Sequence, residues 1–176
     1  MAYGRVSSKW GNIICGIDED GYIFGLWFEN QKYFPRISED EVFLNDIETE
    51  DQVHRTSLAG FKQLTDQVRA FEQGRLKNFD LPLKPRGTEF RLLIWKLLLE
   101  IPYGETTTYG ELGKKAAVAL GRETMSAQAV GGAVGHNPIS IIVPCHRVVG
   151  SDGSLTGYAG GIEKKEGLLQ HEKMHK

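Results

Sequence analysis

Between Ser57 and Leu76 the apolar residues Leu58, Phe61, Leu64, Val68 and Phe71 recur at spacings of three and four, predicting an amphipathic helix that ends near Gly74. Ahead of it, Asn12 to Ile17 and Tyr22 to Phe28 are two β-branched and aromatic runs around Asp18-Glu19-Asp20-Gly21, the pattern of a hairpin. The helix should cover the sheet this hairpin starts. Phe79, Leu81 and Leu83 alternate with Asp80 and Pro82 as an edge strand would, and Lys84-Pro85-Arg86-Gly87 then looks like a linker. The expected domains are therefore 1–86 and 87–176. In the second, Thr88 can cap a helix carrying Phe90, Leu93, Ile94, Leu97 and Leu98, which stops at Ile101-Pro102-Tyr103-Gly104. Thr108-Tyr109-Gly110-Glu111 has capping-box spacing, setting Tyr109 at a helix start with its hydroxyl free to face a pocket. Ser126 opens a further short helix, and the two joined by a turn predict a helix-turn-helix. Ile162, Lys165, Leu168 and Leu169 mark a last helix, which carries Glu172.

Composition changes this picture little. Hydrophobic residues at 40% and charged ones at 25% of 176 residues are those of a chain that buries an ordinary core, not of a disordered or collagenous one. The first ten residues lack the apolar core of a signal peptide, and nowhere is an apolar run long enough to span a bilayer, so no membrane association is expected. Two cysteines, Cys15 and Cys145, imply no disulfide framework and suit a reducing cytoplasm. The formal charge of −2 is divided unevenly. Residues 1–86 carry 11 Lys+Arg against 14 Asp+Glu, residues 87–176 carry 10 against 9, so any surface that meets phosphate belongs to the second half. The acidic stretch Glu39 to Asp51 reads as a solvated loop.

The candidate chemistry lies in Ile141-Ile142-Val143-Pro144-Cys145-His146-Arg147-Val148-Val149. Its β-branched runs predict extended, buried backbone on either side of a rigid step at Pro144. A thiol attacks as thiolate, and an unperturbed cysteine near neutrality is only slightly ionised, so a nucleophilic Cys145 needs an activating partner. His146 is adjacent, but neighbours in extended chain face opposite ways. Contact through a bridging water is as compatible with the sequence as direct contact. A buried structural cysteine is the competing reading, and for Cys15 it is the one retained.

The helix after Ser126 is nearly all Ala, Gly and Val, including Ala127, Ala129 and Gly131. Such a surface admits a close-packed neighbouring helix or a close-approaching nucleic acid. In the second case Gln128, the one long polar side chain between Ser126 and His136, protrudes into the groove, with Arg122 in the preceding loop. Thr156 to Gly161 is a glycine-rich loop without the Gly-Lys-Ser/Thr ending of a phosphate cradle. His171-Glu172-Lys173-Met174-His175 fits the His-Glu-x-x-His zinc pattern, but it lies at the end of the sequence, a poor setting for a pre-organised metal. Glu172 is better used to orient an imidazole behind a nucleophile. No metal and no cofactor are expected.

Taken together, Ile101-Pro102-Tyr103-Gly104-Glu105, the Ala129–Ala133 run, Asn137-Pro138, Pro144 to Val148 and Gly157-Tyr158 to Gly161 closely resemble the O6-alkylguanine-DNA alkyltransferases, with Gly25-Leu26-Trp27-Phe28 a looser match. The resemblance implies an α/β N-terminal domain with a ribonuclease-H-like sheet and covering helix. It implies a mainly α, winged-helix-like C-terminal domain that enters the minor groove of double-stranded DNA. It further implies stoichiometric transfer of the alkyl group of O6-alkylguanine, and of O4-alkylthymine, to Cys145 from a flipped base, by a protein expected to act as a monomer. Glu172 and His146 would then activate Cys145, Asn137 would brace the turn, and Tyr109, Val148, Tyr158 and Ala159 would hold the base. Where many relatives carry an arginine wedge this chain has Gln128, and Ser140 replaces a proline that packs against larger alkyl groups. A thiol hydrolase and a lesion sensor that does not repair are the competing functions.

Overall fold

The computed structural model describes residues 1–38, 40–46 and 54–176, and the chain divides into two compact units, Met1–Pro85 and Arg86–Lys176.

The first unit is built on a sheet of order β3-β2-β1-β4. Strands β1 (Ala2–Ser8), β2 (Gly11–Ile17) and β3 (Ile23–Phe28) form an antiparallel meander, and the short β4 (Val42–Phe43) runs parallel to β1. The β2–β3 turn is fixed by the Asp18 carboxylate, which accepts from the N–H groups of Asp20 and Tyr22. Helix α1 (Arg55–Glu72) buries Leu64, Val68 and Phe71, and Phe61 lies so close over β1 that a Cβ at Gly4 would stand 2.4 Å from its ring. Tyr3, Ile14, Phe24 and Trp27 form a second apolar cluster, with Phe34, Ile37 and Phe43 packed on it. Cys15 is wholly buried in β2, and burial pushes its thiol up to about 12, which makes it inert.

One strand lies where none was expected, and two expectations change. Ala2–Ser8 is a strand between two others, although its glycine, arginine and serines give it little strand propensity; pairing with β2 and burial under α1 override composition. The acidic stretch is not solvated loop throughout. Val42 and Phe43 extend the sheet, and Leu44–Asp46 makes a 3-10 turn, while Glu39 and residues 47–51 lie outside the described residues. In the expected edge strand at 79–83 only Leu83 bridges, to Ile23, because Pro82 has no N–H to give.

The second unit packs α2 (Glu89–Leu98), α3 (Tyr109–Ala119) and α4 (Ala127–Gly135) against one another, followed by α5 (Ile162–Met174). Thr88, Thr108 and Ser126 cap the first three, each hydroxyl accepting from the N–H three residues on. Trp95 on α2 ties down α4 by donating its indole N–H to the carbonyl of Ala133 at 2.8 Å. A two-residue parallel ladder joins β5 (Thr107–Thr108) to β6 (Val148–Val149), setting the start of α3 beside the chain that leaves Cys145. An α/β unit is thus followed by a mainly helical one. Among the described residues no helix is long and apolar enough to cross a membrane.

Candidate active site and nucleic-acid interface

The approach to Cys145 is not the extended run its β-branched composition predicts. Ile142 N–H donates to Ser140 O across Ile141, which sits at φ 71, a region strained for a β-branched residue. Cys145 N–H donates to Val143 O across Pro144 at φ −82 and ψ 62, an inverse γ-turn, and Cys145–Arg147 is then a 3-10 turn. The physical reason is Asn137, immediately past α4. Its Oδ1 accepts from Ile139 N–H, and its Nδ2 donates to Val143 O at 2.8 Å and to the Cys145 Sγ at 3.1 Å. One amide therefore folds the loop and touches the sulfur.

His146 and Glu172 are both 0% exposed, and the His146 Nε2 meets Glu172 Oε1 at 2.7 Å. Arg147 donates to the same carboxylate through Nε and Nη2, both at 2.9 Å, and to the carbonyl of Ile101 through Nη1; Gly104 N–H adds a further bond at 3.1 Å. Burial alone would push the Glu172 carboxyl up, but the bonds from His146 and Arg147 outweigh it and hold it at about 2. Burial lowers His146 despite its carboxylate partner, so at neutral pH the ring is uncharged. With Nε2–H given to an ionised carboxylate, the lone pair sits on Nδ1, which is buried and without a protein partner among the described residues. Cys145 is pushed up to about 11 by burial, against the Asn137 bond and the charge of Lys165. At rest it is a thiol.

The 156–161 loop comes near Cys145, whose charge would be felt at Tyr158. Tyr109 does not present a free hydroxyl: it donates to Thr156 O at 2.9 Å, although its ring also lines a cavity of about 190 Å³ with Gly113, Met125 and Ala127. Tyr158 is half-buried with its hydroxyl turned inward against the side chain of Ser140, and Ala159 is half-buried beside it. Val148 is fully buried and paired with Thr107 in the ladder, which leaves only its backbone to face a ligand.

On α4 the buried residues are Val130, Ala133 and Val134, while Ala127, Gln128 and Ala129 are exposed. A Cβ added at Gly131, Gly132 or Gly135 would meet nothing within 4 Å, so these glycines are not there to let another helix of the chain pack closely. Ser126 spends its hydroxyl on the cap, and Arg122 is exposed in the preceding loop. Among the described residues no three His, Cys, Asp or Glu side chains are grouped to hold a metal ion. Glu172 is committed to His146 and Arg147, and His175 Nδ1 bonds the carbonyl of His171.

Sequence reasoning gave no role to Arg147, Ile101, Gly104 or Lys165. The arginine adjoins the Cys-His step, and Ile101 and Gly104 lie in a segment already singled out, but their meeting at one carboxylate depends on tertiary geometry. Lys165 was legible only as a helix position, yet its ammonium reaches the 156–161 loop.

A braced thiol, a neutral imidazole on a buried carboxylate and a bare-faced helix after a turn define a nucleic-acid-binding protein with a latent nucleophile. A family model described as the DNA-binding domain of 6-O-methylguanine DNA methyltransferase matches residues 89–174. The methylated-DNA--protein-cysteine methyltransferase of Methanosarcina acetivorans is 40% identical over 172 residues, 98% of each chain. The protein of that name from Mycobacterium bovis is 53% identical over 113 residues, 64% of this chain and 66% of its own length. Among solved structures, Mycobacterium tuberculosis OGT in complex with DNA superposes with a TM-score of 0.81 at 36% identity, covering 99% of this chain and 94% of that one. The chain belongs to the methylated-DNA--protein-cysteine methyltransferase family.

Proposed function

We propose that the protein repairs alkylated double-stranded DNA by moving the alkyl group of O6-alkylguanine, and of O4-alkylthymine, onto Cys145, one group per molecule. The observation that carries this reading is the bond of Asn137 to the Cys145 sulfur at 3.1 Å, next in the chain to a His146 that is bonded to Glu172 at 2.7 Å, in the unit that presents α4. A water passes the thiol proton to His146 Nδ1, and Glu172 supports the imidazolium. The sulfur then attacks the alkyl carbon, the S–C bond forms as the C–O6 bond breaks, and the electron pair leaves with the guanine. Tyr109 gives up Thr156 to donate to the minor-groove ring nitrogen of the base. Backbone at Val148 takes the exocyclic amine, and the Tyr158-Ala159 segment donates an N–H to O6, so the leaving group departs neutralised.

Among the described residues no group is placed to cleave the resulting thioether, and the protein is consumed. Because Cys145 is buried, the base must leave the stack to reach it, and Gln128 on the exposed face of α4 takes the place of the departed base. The N-terminal unit is read as ribonuclease-H-like and the C-terminal unit as winged-helix-like, acting as a monomer in the cytoplasm, where a free thiol persists.

Intact mass after mixing with a duplex containing O6-methylguanine tests the reading. One added methyl group, mapped to Cys145 and saturating at one equivalent, is the expected result; product accumulating beyond one equivalent would mean a hydrolase, and binding without transfer a sensor.

A further inference from the structure

Trp95 is 2% exposed and Ala133 3%, and the bond between them joins α2 to the last turn of α4. In a helix running on past Gly135, the Ala133 carbonyl would accept from the N–H of Asn137, four residues ahead. The indole N–H takes that carbonyl at 2.8 Å, and Asn137 N–H donates to Val134 O at 3.2 Å instead. The Gly132 carbonyl is held by His136, through its N–H at 3.1 Å and its Nδ1 at 2.6 Å. The carbonyls of Gly132, Ala133 and Val134 are thus all taken, and the chain leaves the helix at the residue whose side-chain amide touches the Cys145 sulfur. Pro138 bars a further helical turn but brings no donor for Ala133 O. The indole is held in turn from the other side: a Cβ at Gly87 would stand 2.6 Å from its ring, so the chain ahead of α2 lies directly on it.

We infer that Trp95 is a positioning residue for alkyl transfer: by claiming the Ala133 carbonyl it releases Asn137 from the helix and so aims the Asn137 amide at Val143 O and the Cys145 sulfur. Its purpose rests on the alkyl-acceptor reading; its geometry does not. A side chain that only filled space between α2 and α4 would serve as well without an N–H. Without this one, a buried acceptor is left bare, and the nearest donor along the chain is the N–H that an ordinary helix would give it, that of Asn137. Taking that N–H winds α4 on by a residue and swings the Asn137 amide off the sulfur.

The test removes the N–H and little else. Trp95→benzothienylalanine, introduced at that position alone in the full chain, keeps the fused ring and carries sulfur in place of the N–H. Trp95→fluorotryptophan keeps the N–H and serves as its control. Two quantities are read at a temperature where both variants are folded. The first is the Asn137 side-chain amide in heteronuclear NMR, assigned by its loss in Asn137→Asp; in the benzothienyl variant its signals should move and its protons exchange faster with solvent. The second is single-turnover methyl transfer from a duplex containing O6-methylguanine. The maximal rate should fall on the order of tenfold, the rate equivalent of one lost buried hydrogen bond, with the half-saturating duplex concentration unchanged. The fluorotryptophan variant should match the wild type in both.

A structural role alone would lower the urea midpoint and leave both readings in place; that result, or a fluorotryptophan variant as slow as the benzothienyl one, overturns the inference. So does a raised half-saturating concentration with an unchanged maximal rate, which would confine Trp95 to seating α4 on the duplex. Failure of the wild type to accept a methyl group, with the Asn137 signals displaced in the benzothienyl variant as expected, would remove the alkyl-acceptor reading and leave the hold of Trp95 on Asn137 intact.

Discussion

At the scale of single residues, the resting site is protected by its own burial. A thiol held up at about 11 is scarcely ionised at neutral pH, so the proposed transfer needs a proton path, for which His146 is the candidate. Cys145→Ala should abolish the mass gain from methylated duplex while leaving duplex binding intact, as checked by gel shift. Glu172→Gln should slow transfer, since an amide does not support an imidazolium. It has a second consequence that the sequence alone hides: Arg147, bonded twice to that carboxylate, loses its counter-charge inside the protein. Removing one partner of a buried pair costs about 3–5 kcal/mol, which urea titration should register, so transfer rates belong at a temperature where the variant is still folded. Chelator should change neither wild-type rate nor stability. Loss of activity with recovery on added zinc would reinstate the His171 and His175 reading.

At the scale of elements, the helices were legible because period and caps agree. The helical pattern and Thr88, Thr108 and Ser126 placed α1 to α4 within a few residues of their observed starts. What was not legible is backbone whose shape comes from a distant partner. Val42 and Phe43 become strand only because β1 lies alongside, and the Ile141–Val143 run has strand composition but is bent by γ-turns at Ile141 and Pro144 because Asn137 binds it from within. The open glycines of α4 separate stability from function. Gly131→Ala has room for its methyl and should raise stability by about 0.5–1 kcal/mol, the usual helix-interior difference, while weakening duplex binding. Unchanged binding would mean that DNA does not approach that face. Gln128→Ala should slow repair of duplex by an amount bounded by the few kcal/mol of unstacking and leave reaction with free O6-benzylguanine almost unaffected. Equal loss on both substrates would assign Gln128 to the active site or the fold. Gln128→Arg should steepen the salt dependence of duplex binding if the new charge reaches phosphate.

At the scale of the whole molecule, residues far apart in the chain are joined at one carboxylate. Gly104, His146, Arg147 and Glu172 come from three stretches of the C-terminal unit, and through Glu172 helix α5 is fastened to the Cys145–Arg147 turn. Sequence reasoning found Glu172 and His146 but not the clamp, because nothing in spacing says which carbonyl and which N–H will converge. The clamp makes stability depend on pH, and the sign follows from both groups. Glu172 is held at about 2 against an ordinary 4.5, so its contribution is complete above pH 4.5 and is lost as pH falls toward 2. Its size is on the order of 3 kcal/mol. His146 is lowered from 6.5, so its contribution is complete above that value and begins to fall below it. The two losses have the same direction and succeed one another on acidification. With Trp10 and Trp27 replaced by Phe, Trp95 alone reports the C-terminal unit, and its urea midpoint should hold steady down to about pH 6.5, decline below that and fall steeply below 4.5. In Glu172→Gln the steep limb should be absent and the starting midpoint already low. If the wild-type midpoint stayed flat to pH 3, Glu172 would not be the ionised centre of the clamp, and its role as the support of His146 would go with it.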